Sequence, residues 1–300
     1  MLPGMSSPLQ LYRIAVVSVL VALVFPASAP VAYDTFGDGY GSKWDDPQFG
    51  TGATVAWSCV SPGAGLASNP AIAHLSGTNT LGGGDPLEDI REKIDAQFGA
   101  GAFDAAVQRA FDTWAAAADL NFVQVADPGT PFAGATTPDI RIGAYHFPIG
   151  DFAGGAGWGP PGDDLNFPDA LAGDLALNDR NRFTIASGPE GSALPTDNGA
   201  YLNDVEGLLL HELGHTLGLG HSDVPDGVMC GYIWPGDVFD GSACDYTHVN
   251  HELAPDDLAG IREIYGPAAV PMSPVAWAAL AGSLAAAGVV RLRTARATRV

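Results

Sequence analysis

Apolar positions three and four residues apart mark the helices of this chain, and apolar positions two apart mark its strands. Phe103, Val107, Ala110, Phe111 and Trp114 fall on one helical face within a stretch, 86–118, that is helical in composition throughout. A second helix is expected to open at Asn203, where Asn203 and Glu206 stand in a capping-box arrangement ahead of Leu208, Leu209, Leu210, Leu213 and Leu217. Gly218 should end it. A last helix runs from Pro255 to Tyr265, with Leu258, Ile261 and Ile264 on its inner face. Alternation over Ala53–Val60 (ATVAWSCV) predicts a strand, and NFVQV (121–125) and DIRI (139–142) predict two short ones. Gly150–Gly173 reads as loop around a short strand near Trp158, and Ile185–Ala200 as a loop-like insertion. Strands first, with helices interleaved and late, predict an α+β domain built on a mixed, mostly parallel sheet.

The two ends read as addresses. Residues 14–25 (IAVVSVLVALVF) follow Arg13 and precede PASAPVA, the layout of a secretory signal peptide, with cleavage expected after Ala29 or Ala32. At the other end VPMSP (270–274) precedes an apolar stretch, Val275–Val290, and then Arg291, Arg293, Arg296 and Arg299. Sixteen residues in a helix reach about 24 Å, marginal for a ~30 Å hydrocarbon core. The order of parts resembles the PEP-CTERM group of bacterial sorting tails, with Pro271-Met-Ser-Pro274 in place of the usual Pro-Glu-Pro. That resemblance implies attachment to a membrane or cell envelope and a sorting enzyme as partner. A plain membrane anchor is the alternative, with the arginines retained in the cytoplasm and the preceding domain outside. The chain thus divides into a signal peptide (1–32), a main domain (33–267) and a C-terminal sorting or membrane-anchor segment (268–300).

Charge narrows the partners. There are 34 acidic and 13 basic residues among 300, a net charge of −21. Five of the basic residues lie in the two ends, so the body holds every acid and eight bases. Such a body repels nucleic acid and anionic lipid. Solubility explains the acidity, and calcium held by Asp-rich loops is a second reading of it. Three cysteines leave an odd one: Cys230 and Cys244 can close a short loop in an oxidising compartment, with Cys59 over.

The chemistry concentrates in HELGHTLGLGH, 211–221. His211 and His215 are one helical turn apart and project from one face, so both imidazoles can reach one ion. Glu212 beside them can address a water on that ion without ligating it. Zinc takes three protein nitrogens and keeps a fourth position for water. Gly218 permits the positive-φ turn that folds the chain back, and His221 follows three residues later as third ligand.

On these residues the sequence resembles the metzincin metallopeptidases. Ser222 after the third histidine resembles the matrixin branch, where astacins have Glu and serralysins Pro. Met229 matches the methionine turn that underlies the metal in that clan. AFDTWAAAADLNFVQV (110–125) is similar to the matrixins' first helix and following strand, and LAPDDLAGIREIYG (253–266) to their closing helix. The resemblance implies a zincin-like fold, one catalytic zinc and hydrolysis of internal peptide bonds in a protein or peptide substrate, with Glu212 as general base. It also implies that the substrate lies along an edge strand near Gly155–Gly159, and that the chain from Met229 to about Glu252 shapes the pocket beyond the cleaved bond. The family's cysteine-switch segment has no counterpart here. Its structural zinc lacks ligands as well, since Ala176 stands where a histidine is expected and only His146 is near. Asp151, Asp174 and Asn178 are the candidates for calcium. His74, His248 and His251 read as surface or packing residues.

Two other readings stay open at this stage. One is a non-catalytic, zinc-stabilised surface binding protein, in which Glu212 would have no duty. The other is a zinc hydrolase on the same scaffold acting on cell-wall peptides.

Overall fold

The computed structural model describes residues 33–35, 42–82, 89–148, 153–161, 170–231 and 244–269. The apolar runs 14–25 and 275–290, the cleavage positions and Asp151 lie outside these residues. Among the described residues no helix is long and apolar enough to cross a membrane.

In chain order the elements are β1 (Ala53–Cys59), α1 (Ile90–Phe98), α2 (Ala102–Ala117), β2 (Leu120–Gln124), β3 (Ile140–Tyr145), β4 (Gly155–Gly157), β5 (Asp174–Asn178), β6 (Phe183–Thr184), β7 (Thr196–Asp197), β8 (Ala200–Tyr201), β9 (Asn203–Asp204), α3 (Val205–Thr216) and α4 (Pro255–Tyr265). The main sheet has the order β2-β1-β3-β5-β4. All its pairs are parallel except β4 against β5. Parallel neighbours need long crossovers, and α1 and α2 supply the one from β1 to β2. This is the mixed, mostly parallel α+β sheet that the sequence predicts.

β3 is buried along its whole length because both faces are covered. Ile140, Ile142 and Ala144 join a large core with Phe103, Val107, Phe111 and Trp114 of α2, Leu209, Leu210 and Leu213 of α3, and Ile261 and Ile264 of α4. The odd-numbered face carries Tyr145 into a smaller cluster with Ile72, Phe132, Phe147 and Trp158. Arg141 is also on that side, wholly buried. Its guanidinium donates to Asp127 and to the carbonyls of Thr130 and Pro131, all at 2.9 Å.

Three elements differ from expectation. The helical stretch 86–118 is broken at Gly99 and Gly101, both at positive φ. The Asp95 carboxylate of α1 accepts from Gly101 N and Phe103 N at 2.9 and 3.0 Å, capping the next helix from the previous one. The cap of α3 is Asp204, not Asn203: its side chain accepts from Gly207 N at 2.8 Å. With the cap one residue later, Glu206 cannot reach back along the helix and pairs instead with Arg109 at 2.5 Å. Finally, β5 had no strand signal, because Asp174 and Asn178 interrupt the apolar pattern at its two ends. Both are buried, and both are satisfied: Asp174 accepts from Ala133 N at 2.7 Å, and Asn178 donates to the Ala153 carbonyl at 2.9 Å.

The insertion 185–200 holds more order than its composition suggests. It contains β7, which pairs with β8, and it hydrogen-bonds to 247–251 through Leu194, Ser192 and Gly191.

Candidate metal centre

α3 ends at Thr216, and Gly218 follows at φ 102°. Gly218 N donates to the His215 carbonyl and Leu219 N to that of Gly214, both at 2.9 Å, which turns the chain back on itself. A side chain at 218 would meet the Ser42 carbonyl at 2.7 Å, so a glycine is needed for space as well as for φ. This turn does two things. It carries His221 to the triad, and it presents the Leu219 carbonyl to His215 Nδ1 at 2.8 Å.

His211 is held in the same manner from the other side, with Nδ1 2.6 Å from the Val228 carbonyl. A carbonyl can only accept, so Nδ1 carries the proton in both rings and Nε2 keeps its lone pair. The nitrogens of His211, His215 and His221 lie within 4.8 Å of one another. His215 Nε2 is 3.1 Å from His221 Nε2. Burial pushes His211 down from the ordinary imidazole range and His215 well below it, and neighbouring histidines act in the same direction. Neutral imidazoles converging on a point are the donor form for a metal ion. A set of three nitrogens with no carboxylate fits zinc rather than a hard cation.

Met229 packs against α3 between the two helical histidines. Its sulfur touches Gly214, where an added Cβ would be 2.2 Å away, so the glycine between the two helical histidines is what admits it. The turn itself hangs on Asp257 of α4, whose carboxylate accepts from Val228 N at 2.8 Å and Met229 N at 3.0 Å. Asp257 therefore supports the peptide whose carbonyl orients His211. Gly231, just beyond, lies against the His221 ring, where an added Cβ would be 2.0 Å from Cδ2. Cys230 and Cys244 form a disulfide, and Cys59 stands outside any.

Glu212 is buried on the face of α3 turned towards β4. The Gly157 amide donates to its carboxylate, and burial pushes the carboxyl up while the neighbouring His211 and that amide pull it down, leaving it raised. β4 is at the sheet edge, its inner side bonded to β5. The region read as a substrate rim is thus beside Glu212.

Among the described residues the three histidines are the one group of three or more His, Cys, Asp or Glu side chains that could share an ion. His146 pairs with Asp179 at 2.7 Å. Asn178 Oδ1 accepts from Arg180 N at 3.1 Å. The other histidines differ in role: His248 is at the surface beside Asp245, whereas His251 binds the Asp204 carboxylate at 2.5 Å. Sequence reasoning missed Asp204, Asp257 and His251 as parts of the site's frame. Asp257 had one visible sign, its place in the acidic first turn of α4. His251 had none, because its partner is 47 positions away.

A family model described as Matrixin matches residues 90–266, more than half of the chain. The chain is 33% identical to Metalloendoproteinase 5-MMP of Arabidopsis thaliana over 53% of its own length and 38% of that protein's. It is 32% identical to Matrilysin of Rattus norvegicus over 54% of its length and 50% of the relative's. With Matrix metalloproteinase-16 of Homo sapiens the values are 30% identity, 54% of this chain and 23% of the relative. The matched region therefore spans half or less of each of these relatives. Its position over α1 to α4, with the histidine triad, the methionine turn and the closing helix inside it, makes the chain a member of the Matrixin family.

Proposed function

We propose that this protein is a zinc endopeptidase, with zinc held by Nε2 of His211, His215 and His221 and Glu212 acting as general base. The observation that carries the reading is Glu212. A buried carboxylate with a raised pKa, one residue from a ligand and bonded to the backbone of an edge strand, has no packing duty that an apolar residue would not serve better. Matrixin membership implies zinc, and calcium besides, and names the metalloproteinase relatives.

Zinc, when bound, lowers the pKa of a water in its open position to ~7 and polarises a carbonyl oxygen. This chain's residues do the rest. Glu212 takes the proton of the attacking water at its carboxylate and passes it to the leaving nitrogen. The outer edge of β4 pairs with an extended substrate backbone and sets the scissile bond over Glu212. Asp257 and Met229 fix the floor.

The reading extends to the whole chain as follows. Residues 1–32 direct export, 33–267 form the catalytic domain, and 268–300 attach or sort it at a membrane or cell envelope. The substrate is a protein or peptide outside the cytoplasm.

The test pairs wild type with Glu212→Ala in the full chain, measuring zinc content and casein cleavage. Stoichiometric zinc in both, with cleavage by the wild type alone, is expected. Zinc in both and cleavage by neither would favour a zinc-stabilised binding protein; folded protein without zinc would sink the site.

A further inference from the structure

We infer that Asp204, His251 and Glu190 form a clasp that sets one wall of the substrate pocket and so determines selectivity. This rests on the peptidase reading above.

Asp204 joins three parts of the chain. Its carboxylate caps α3 through Gly207 N at 2.8 Å, accepts from Ala186 N of the insertion at 2.6 Å, and binds His251 Nε2 at 2.5 Å. The backbone of His251 is held as well, its amide donating to Glu190 at 2.9 Å. Between Glu190 and His251 the two segments are laced together: Gly191 N donates to the Val249 carbonyl, Val249 N to Ser192 and Leu194 N to Thr247, at 2.9, 2.8 and 2.7 Å. Ala186, Leu194 and Val249 bury a small apolar cluster of their own beneath these bonds.

The limb that is laced, 244–251, flanks the metal centre. It starts at Cys244, whose disulfide joins Cys230 next to Met229. It passes the methionine turn, where Asn250 Nδ2 donates to the Gly227 carbonyl at 3.1 Å. It then crosses the first turn of α3, so closely that a Cβ on Gly207 would sit 3.1 Å from the Asn250 carbonyl. His211 is one turn further along that helix. The limb therefore lies between the methionine turn and the start of the active-site helix, fixed to both. Among the described residues it is held by the disulfide, the Asn250 bond, the backbone lacing to 191–194 and, through side chains at the helix end, the clasp.

The charges around His251 favour it. Asp204, Glu206 and Glu190 all face the imidazole, and Arg109 pairs with Glu206. An anionic cap at a helix N-terminus is itself favourable, and a cation on that cap completes a charge-assisted bond.

The test uses the full zinc-loaded chain and two peptides identical except for leucine or alanine after the cleaved bond. In His251→Ala, zinc content and kcat should stay near wild type. The ratio of kcat/KM between the two peptides should shrink roughly tenfold, through KM, the scale on which one charge-assisted hydrogen bond acts. The amides of Gly191, Leu194 and Val249 should exchange faster with solvent. Asp204→Asn keeps a good cap but removes the charge, and should give the same shift if His251→Ala folds poorly. Faster exchange with unchanged selectivity would overturn the inference, as would a loss of zinc or of kcat at unchanged KM. A wild type that cleaves neither peptide nor casein would overturn the peptidase reading and the pocket role with it. Hydrogen exchange would still report whether the clasp exists, and unchanged exchange in both variants would refute the clasp alone.

Discussion

Gly157 touches both the backbone and the side chain of Glu212: a Cβ on the glycine would sit 2.4 Å from the Glu212 carbonyl oxygen, while the glycine amide binds the Glu212 carboxylate. No side chain fits there unless β4 and α3 separate. On the proposed mechanism, in which substrate pairs with β4 and Glu212 is the base, the spacing between strand and helix would also set the spacing between scissile bond and base. Gly157→Ala should therefore lower kcat about a hundredfold, the cost of roughly 1 Å of misplacement, with zinc content retained. Steady-state kinetics beside metal analysis would check it; unaltered kcat would show that the strand–helix gap is not critical.

Removing the metal should cost stability. Three imidazoles converge in the folded state only, so zinc binds the native chain in preference to the unfolded one. At free zinc a hundredfold above its Kd, the added stability is about 2.7 kcal/mol. Calorimetry before and after chelation should show a fall in Tm that zinc restores, and His221→Ala should abolish the difference.

Arg141 predicts a larger effect with no metal involved. It is wholly buried with Asp127, whose side chain is only 5% exposed. Asp127 also accepts from Ser61 and Gly129, and these bonds hold its carboxyl below the usual range against the opposing pull of burial. Arg141→Met would strand that charge and two carbonyls. The expected loss is about 3–5 kcal/mol. Chemical denaturation would measure it, and Arg141→Met combined with Asp127→Leu should recover part.

The His251 contact makes stability fall as pH rises. Burial lowers the imidazole pKa, but the Asp204 hydrogen bond and charge outweigh it, and the folded value is raised above the unfolded one. Such a group contributes fully below the unfolded pKa of ~6.5 and loses its contribution as pH climbs through the folded pKa. The wild type should therefore exceed His251→Gln in stability by more at pH 5.5 than at pH 9. Denaturation curves at the two pH values would read the difference, and a gap that widens with pH would contradict the assigned charge.

The histidine triad was legible because its geometry is local. A 3.6-residue turn places His211 over His215, and one glycine with positive φ returns His221, so eleven consecutive residues contain the whole donor set. The same locality explains why α4, opened by Pro255, and the face of α2 were readable. Other features depended on partners distant in sequence. The cap of α3 moved to Asp204 because that carboxylate also serves Ala186 and His251, 18 and 47 positions away. β5 was hidden because Asp174 is tolerated in the core only where Ala133 N meets it. The sequence alone determined which atoms could bind a metal and which carboxylate stands beside them. Only the tertiary structure decided what holds those atoms in place, since a hydrogen bond closes wherever the fold brings donor to acceptor, and no local pattern records the far partner.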